Sequence, residues 1–246
     1  PRLPRLTGSV NEIKEQVRET LREATRIRLI SDVPLGAFLS GGIDSSAVVG
    51  LMAQEMSQPV KTFSIGFEEQ DFSELKFARM TAERFRTDHN EFIVKPETAS
   101  ILPKLAWHYD QPFADPSALP SYYVARETRK HVTVALNGDG GDESFGGYLR
   151  YQADRIFSMV SSVPRGLRSA LARAARSGIL PRSSHFARRI ARAASILDST
   201  PQEFNFRLFC YFDQETLNPL LGERMKPTIA QGNVSDYFEG LYSQSD

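Results

Sequence analysis

Hydrophobic residues in the first 150 positions follow two patterns, short apolar runs and longer segments with a repeat of three to four residues. Ser9 and Glu12 have the spacing of a capping box, and the repeat behind them predicts an amphipathic helix over about 9–27. Apolar runs predict strands over 35–40, 61–67, 89–94 and 132–136. Between the strands, helices are predicted over 45–56, from Ser73 to about Arg86, after Pro96, and up to about Lys130. This alternation predicts an α/β fold whose parallel sheet is flanked by helices on both faces.

The pattern changes beyond about Tyr151. Helical segments rich in Ala and Arg follow, broken at Pro164, between Gly178 and Pro181, at Pro201 and at Pro219, and no clear strand is predicted. We therefore predict two parts, an α/β core over 1–150 and a mostly helical C-terminal region over 151–246. Residues 150–192 contain ten Arg and one acidic residue, Asp154. They form either solvated or ion-paired helix faces or an RNA-binding surface, and the lack of interleaved aromatic residues favours the first.

Composition narrows the class of protein. The 246 residues include 30 basic and 30 acidic side chains, so no net charge attracts nucleic acid or an anionic membrane, and neither partner is expected. The single cysteine, Cys210, cannot form an internal disulfide or a thiolate zinc site, and its aromatic neighbours indicate a core position. No apolar run approaches the roughly 18 residues of a spanning helix, and the start is too polar for a signal peptide. We expect a cytoplasmic protein. Because the first residue is Pro1, we also expect a piece of a longer chain.

The run Ser-Gly-Gly-Ile-Asp-Ser-Ser at 40–46 lies where the first predicted strand passes into a helix. Glycines allow the backbone to turn sharply and to approach a phosphate, and amide groups at the helix N-terminus present positive partial charge. The carboxylate of Asp44 would repel phosphate unless a cation lies between them, which indicates Mg²⁺. The structural alternative is that the glycines make the turn and Asp44 caps the helix.

A second glycine turn, Asn-Gly-Asp-Gly-Gly-Asp-Glu at 137–143, follows the last predicted strand. Open α/β sheets bind ligands at the carboxyl ends of their strands, so both turns are expected at one edge of the sheet. The second turn carries a carboxylate able to share a metal ion with Asp44. Two such turns favour a phosphate site over two purely structural turns.

The run LSGGIDSS at 39–46 resembles the pyrophosphate loop of the ATP pyrophosphatase superfamily. With TFSIGF at 62–67 and LNGDGGDESFGGY at 136–148, it resembles the synthetase domain of the glutamine-dependent asparagine synthetases. The resemblance is specific from about Asp32 to Tyr151. It implies a fold of the adenine nucleotide alpha hydrolase type and a role in asparagine biosynthesis. The implied reaction forms an acyl-adenylate from a carboxylate and ATP, releases pyrophosphate, and lets ammonia displace AMP.

The resemblance also implies roles for single residues. The implied pyrophosphate contacts are Ser40, Gly41, Gly42, Asp44, Ser45 and Ser46. The implied adenosine contacts are Leu39, Ile65, Asn137 and Gly138, and an apolar slot of Leu and Ile suits a purine face. Asp44 and Asp142 are the implied ligands of Mg²⁺. Asp139, where the family often has Glu, is an acid or base candidate, and equally a residue that orients the turn.

The chain also departs from the family pattern. The family's glutaminase domain begins with a cysteine nucleophile, and neither that domain nor a cysteine near the start is present here. We therefore expect ammonia to come from a domain absent from this chain, and the chain alone to be inactive or weakly active. The family's late lysine is not assigned to Lys226, because the surrounding sequence GERMKPT does not match. The sequence leaves the oligomeric state open, a homodimer included.

The acceptor is the least defined part of the reaction. The segment DQPFADPSALPSYY at 110–123 resembles an acidic, proline-containing segment of some family branches. Asp110 and Asp115 face a substrate amino group or cap the helix that begins near Ser117, and capping is favoured for at least one of them. Aspartate is the expected carboxylate substrate. The alternatives are another carboxylate, as in an amidotransferase of a secondary-metabolite or polysaccharide pathway or in a β-lactam-forming synthetase, and a nucleotide-binding module without turnover.

Overall fold

Four parallel strands form the sheet of the protein in the computed structural model. The structure describes residues 7–67, 74–95, 98–111, 113, 115–164, 166–170, 200, 203–204, 218–222, 224–225 and 240. The chain divides into two compact units, Pro1–Phe145 and Gly146–Asp246. The boundary predicted from the sequence is at residue 150. The predictions for Ser73, Cys210, Lys226 and most of the Arg-rich segment lie outside the described residues.

The first unit alternates helices and strands, as the sequence predicts. Its strands are β1 (Leu35–Phe38), β2 (Lys61–Phe67), β3 (Asp88–Val94) and β4 (Val134–Leu136). Its helices are α1 (Val10–Arg28), α2 (Ile43–Glu55), α3 (Leu75–Phe85), α4 (Thr98–Tyr109), α5 (Ala118–Thr128) and α6 (Gly141–Phe145). The short helix α6, which begins inside the second glycine turn, is not predicted by the hydrophobic pattern.

The strands are ordered β3-β2-β1-β4 and every neighbouring pair is parallel. The chain proceeds from β1 outward through β2 and β3, and then returns to add β4 on the other side of β1. The loops that leave β1 and β4 therefore begin side by side, at the point where the strand order reverses. Such a switch point is where open α/β sheets bind their ligands. Both glycine turns start there.

Helix α1 begins with the predicted capping box. The side chain of Ser9 accepts from the backbone of Glu12, and the Glu12 carboxylate accepts from the backbone of Ser9 at 2.7 Å. The helix contacts α2, and an ion pair of 3.8 Å joins Arg22 to Glu55 at the end of α2. These contacts attach the amphipathic helix to the layer that carries the first glycine turn.

The core lies between the sheet and the helices that cover it. One cluster of the core contains Ala37, Leu39, Val49, Met52, Val60, Ala78 and Ala82, each at most 6% exposed. Complete burial of a Val, Leu or Met side chain stabilises a fold by about 1.5–3 kcal/mol. The cluster joins β1, α2 and α3, the three elements that surround the first glycine turn.

Two strands are shorter than predicted, each for a reason visible in the hydrogen bonds. Strand β1 ends at Phe38 because the carbonyl of Leu39 accepts from the hydroxyl of Ser64 rather than from a strand amide. Strand β4 begins at Val134 because the amides of Thr133 and Val134 both donate to the carbonyl of Pro34, at 2.9 and 3.3 Å. The sheet ladder therefore starts two residues later than the apolar run.

The described residues of the second unit are helical or irregular. Helix α7 spans Leu149–Ser161, and a single 3-10 turn covers Asn218–Leu220. The rings of Phe157 and Phe204 stack at 4.2 Å and are 5% and 3% exposed. No strand occurs among these residues. Of the helices that the structure describes, none is long and apolar enough to cross a lipid bilayer.

Candidate functional site

The loop after β1 turns at Gly41, which has φ +83° and lies against the beginning of α3. A Cβ atom here would lie 2.4 Å from the backbone nitrogen of Ala78 and 2.5 Å from the carbonyl carbon of Phe77. Both the left-handed backbone and the close approach therefore require glycine. The motif's first glycine thus seats the loop on α3.

Three serine hydroxyls of the loop are bound within the protein. The Ser40 Oγ accepts from the amide of Gly42 at 3.2 Å and lies 2.9 Å from the Ser45 Oγ. The Ser45 hydroxyl donates back to the carbonyl of Gly42 at 3.3 Å and is nearly buried. This closed ring of hydrogen bonds sets the loop's shape before any ligand binds. The third hydroxyl, on Ser46, lies 3.1 Å from the Thr81 Oγ1.

The second glycine turn lies directly against the first. A Cβ atom on Gly138 would lie 2.7 Å from the backbone nitrogen of Ser45 and 2.9 Å from the carbonyl carbon of Asp44. A Cβ atom on Gly141 would lie 2.3–2.7 Å from the carboxylate atoms of Asp44. The structure therefore brings both predicted turns together, with the Asp44 carboxylate at the start of α6.

The side chains of the second turn are paired with each other. The Asn137 amide donates to the Asp139 carboxylate at 2.6 Å, and its oxygen accepts from the Asp139 backbone amide at 3.4 Å. Asp139 is exposed, so its carboxylate is oriented but accessible to solvent. This pairing gives the residue the turn-orienting contact that the sequence left as an alternative, and an accessible carboxylate can still accept a proton.

Two carboxylates of the site lie in the first turns of helices. Asp44 belongs to the first turn of α2, and Asp142, half-buried, belongs to the first turn of α6. Within the described residues, no group of three or more His, Cys, Asp or Glu side chains is placed to hold a metal ion by itself. Mg²⁺ usually takes one or two protein carboxylates and completes its shell with phosphates and water. The donor set therefore fits Mg²⁺ that arrives with a phosphate ligand.

A cleft of about 260 Å³ opens beside the first turn, between the ends of β1 and β2 and helices α3 and α5. Leu39, Ser40 and Ile65 contribute to its wall, as do Glu74 of the α3 N-terminus and the α5 residues Pro120, Ser121 and Val124. The Leu39 side chain is only 1% exposed, so it forms the floor rather than an open face. Asn137 and Gly138 are absent from this wall and lie at the second turn instead.

The structure gives roles at the site to two residues to which the sequence assigned none. The hydroxyl of Ser64 fixes the carbonyl of Leu39, and the hydroxyl of Thr81 contacts Ser46. A polar residue inside the apolar run of β2 was a sequence signal for Ser64. Nothing local to α3 or α5 could have indicated their side chains, because their contacts with the loop depend on how the helices cross the sheet.

The aspartates of the segment before α5 differ in their contacts. The Asp115 carboxylate accepts from the amide of Ser117 at 2.8 Å, which lowers the pKa of Asp115. It therefore caps the entry to α5, as favoured from the sequence. Asp110 has a left-handed backbone, φ +55°, at the end of α4.

Comparisons with known proteins show what this chain is similar to. The family model described as asparagine synthase matches residues 16–226. The glutamine-hydrolyzing asparagine synthetase 1 of Bacillus subtilis (strain 168) is 36% identical over 240 residues, which cover 96% of this chain and 36% of the relative. A putative glutamine-hydrolyzing asparagine synthetase 2 of Methanocaldococcus jannaschii is 42% identical over 157 residues, covering 63% of this chain and 30% of the relative.

The chain therefore spans about a third of the length of these two relatives. Among solved structures, the NH3-dependent NAD synthetase from Campylobacter jejuni superposes with a TM-score of 0.37 at 12% identity. That superposition covers 76% of this chain and 97% of the other.

Proposed function

Because this chain belongs to the asparagine synthase family, we propose that it is the ATP-using synthetase part of an amide ligase. In this proposal the chain binds ATP at the two glycine turns, and a carboxylate substrate attacks the α-phosphate. The bond between the α- and β-phosphates breaks, which gives an acyl-adenylate and releases pyrophosphate. Ammonia then displaces AMP to form the amide. The observation that carries the proposal is the contact between the two turns at the switch point of the sheet. A Cβ atom added to Gly138 or Gly141 would lie only 2.3–3.0 Å from atoms of Asp44.

The first turn is the proposed pyrophosphate site. The contacts are Ser40, Gly41, Gly42, Asp44, Ser45 and Ser46. The N-terminus of α2, whose cap residue Gly42 has no side chain to cover the helix end, presents free backbone amides to an anion. A ring of hydrogen bonds through Ser40 and Ser45 holds the shape of the loop, and either hydroxyl can donate to phosphate by giving up its bond in the ring.

Asp44 and Asp142 are the proposed ligands of Mg²⁺. The close fit of Gly141 against the Asp44 carboxylate supports this assignment, since a larger residue there would displace the carboxylate. When bound, Mg²⁺ neutralises charge on the departing pyrophosphate. The contribution of the chain itself is to hold two carboxylates at adjoining helix starts, so that a phosphate can approach between them only together with a cation.

The cleft beside the first turn is the proposed adenosine site. Ile65 supplies an apolar wall and Leu39 the floor, while α5 closes the opposite side with Pro120 and Val124. Apolar walls with few polar groups suit a purine. Asn137 and Gly138 would contact the nucleoside from the second turn, outside the wall of this cleft. Asp139, oriented by Asn137, is the proposed group that accepts a proton from the attacking ammonia.

Aspartate is the proposed carboxylate substrate, with ammonia supplied by a glutaminase domain. The names of the two relatives, glutamine-hydrolyzing asparagine synthetases, support both parts of this proposal. We also propose that the purified chain forms little or no amide from glutamine, because its cysteine, Cys210, lies outside any motif for a glutaminase nucleophile.

The test of this function is calorimetric titration of the chain with ATP in the presence and absence of Mg²⁺. We expect binding that needs Mg²⁺ and weakens about 100-fold or more in Asp44→Asn and Asp142→Asn. Asp32→Asn is the matched control, because Asp32 is an exposed carboxylate of the same unit that precedes β1 at the opposite edge of the sheet. Equal ATP affinity with excess chelator, or equal affinity in the control and the two site variants, would overturn the proposal.

The acceptor is tested separately by AMP and amide formation. The assay supplies ATP, Mg²⁺ and ammonia with aspartate, and repeats the reaction with other amino-acid carboxylates. Selective turnover of another carboxylate would replace aspartate and leave the adenylation chemistry standing. Robust amide formation from glutamine by this chain would contradict the proposed need for a separate ammonia source.

A further inference from the structure

Helix α3 touches the first glycine turn at two points. One is the packing of Gly41 against the backbone of Phe77 and Ala78. The other is the hydrogen bond between the Ser46 Oγ and the Thr81 Oγ1, 3.1 Å apart and partly buried. Thr81 stands one turn beyond Ala78 on α3. The first contact fixes how far the loop lies from α3, and the second fixes the direction of one side chain.

Each hydroxyl of this pair has a single proton, and either can donate to the other. A phosphate oxygen near Ser46 offers only acceptor sites. If Ser46 donated to Thr81, its lone pairs would face the phosphate and repel it. If Thr81 donates to Ser46, the Ser46 proton is free to point at the phosphate, and the two bonds strengthen each other.

We propose that Thr81 is a positioning residue of the phosphate loop. Its hydroxyl donates to Ser46 and so directs the Ser46 proton toward the bound pyrophosphate group. This inference rests on the proposed function, because it assigns phosphate to the first turn. It concerns a residue outside the 40–46 motif, on a helix whose sequence carries no nucleotide-binding signal.

Substitutions at Thr81 separate this role from packing. Valine has nearly the shape of threonine and removes the donor, while serine keeps the hydroxyl and removes a methyl group. Thr20 provides a matched control, because it is also a threonine within a helix, and its hydroxyl donates to the Gln16 carbonyl at 2.8 Å. Alanine at position 81 is the second variant should Thr81→Val fail to fold.

The experiment measures the affinity of the chain for Mg²⁺ with ATP, and for Mg²⁺ with inorganic pyrophosphate, by calorimetry. We expect Thr81→Val to weaken both about three- to tenfold, Thr81→Ser to restore affinity to within about twofold, and Thr20→Val to have no effect. In a Ser46→Ala background we expect Thr81→Val to cause no further loss, because the proton it would direct is gone.

The results distinguish a failure of the Thr81 inference from a failure of the proposed function. An unchanged affinity in Thr81→Val, or an equal loss with and without the Ser46 hydroxyl, would overturn the inference and leave ATP binding intact. Binding of pyrophosphate but not of ATP would overturn the proposed function, while the Thr81 effect on pyrophosphate would still support the positioning role. A chain that binds neither probe would contradict both.

Discussion

The carboxyl edge and the amino edge of the same sheet are stabilised in different ways. At the carboxyl edge, glycines bring backbone segments together, with Gly41 on α3 and Gly138 on the start of α2. At the amino edge, hydrogen bonds between side chains join neighbouring segments. There the Thr62 hydroxyl lies 2.8 Å from the Thr87 hydroxyl and 2.9 Å from the His89 Nδ1.

This difference indicates which edge is built for a ligand. Close backbone contacts at the carboxyl edge leave the amides at the start of α2 without covering side chains. At the amino edge, Thr62, Thr87 and the His89 Nδ1 pair with one another, and the buried His89 Nε2 has no hydrogen-bond partner among the described residues. A substitution at the carboxyl edge should therefore change both stability and ligand affinity. A substitution at the amino edge should change stability alone.

The largest effect is expected for Gly41→Ala. The new Cβ atom would meet backbone atoms at 2.4–2.5 Å and would force a left-handed conformation on alanine. We expect the free energy of unfolding to fall by about 3 kcal/mol or more, measured by urea denaturation. Gly140→Ala is the matched control, because Gly140 has a similar φ of +89° with no atom within 4 Å of the new Cβ. The free energy of unfolding should fall by only about 1 kcal/mol in Gly140→Ala.

Equal losses in the two variants would mean that backbone conformation alone makes Gly41 necessary. The contact with α3 would then contribute nothing to the shape of the loop. Comparing the two variants therefore separates the left-handed backbone of Gly41 from its close packing on α3 as the reason for glycine.

The next effect is expected for Gly141→Ala, and it is a loss of binding. Here the new Cβ would lie 2.3–2.7 Å from atoms of the Asp44 carboxylate, which is the movable end of a side chain. The carboxylate should rotate away at little cost in stability, and Mg²⁺-dependent ATP affinity should fall about 10- to 100-fold. Gly138→Ala should instead lose stability, because its Cβ would meet the backbone of Asp44 and Ser45. Normal affinity in Gly141→Ala would remove Asp44 from the metal site.

These glycines show how much of the structure could be predicted from the sequence alone. Strand β2 has its predicted bounds, because an apolar run between turn signals defines a buried strand locally. The motif also indicated that both turns would share an edge. It could not indicate that Gly41 packs on α3, that α5 forms one side of the cleft, or that Ser64 ends β1. Those contacts join residues far apart in the chain, and their geometry is decided by packing.

A smaller loss of stability is expected for Ser64→Ala, a substitution in the middle of β2, between the two edges of the sheet. The Ser64 hydroxyl is buried and donates to the Leu39 carbonyl, just before the first turn. Its loss would leave a buried acceptor without that donor and should cost about 1–3 kcal/mol, measured by urea denaturation. Ser144→Ala, at an exposed position of α6, is the control and should cost less than about 0.5 kcal/mol. Equal stability of the two variants would show that water replaces the lost hydroxyl.

The smallest effect is expected at the amino edge and depends on pH. Burial lowers the pKa of the His89 imidazole. The Glu91 carboxylate, 3.3 Å from the His89 Nε2, raises that pKa. It offsets the effect of burial only in part, because Arg79 also pairs with Glu91. The unfolded chain therefore binds a proton at His89 more readily than the folded chain does. The free energy of unfolding should fall as pH decreases below about 6.5, the ordinary pKa of histidine, until the folded-state pKa is passed.

The pKa of Glu91 is lowered, first by the hydrogen bonds that Arg79 donates to it. This group affects stability in a lower pH range than His89 does. Its stabilising contribution is present above the ordinary glutamate pKa and is lost as pH falls through the lower folded-state value. Urea denaturation between about pH 7.5 and 5.5 thus isolates the histidine. His89→Gln should flatten the slope over this range, while ATP affinity at pH 7.5 stays unchanged because His89 lies at the edge away from both glycine turns. Greater stability at the lower pH would mean that attraction to Glu91 outweighs burial, and an altered ATP affinity would show that the two edges are coupled.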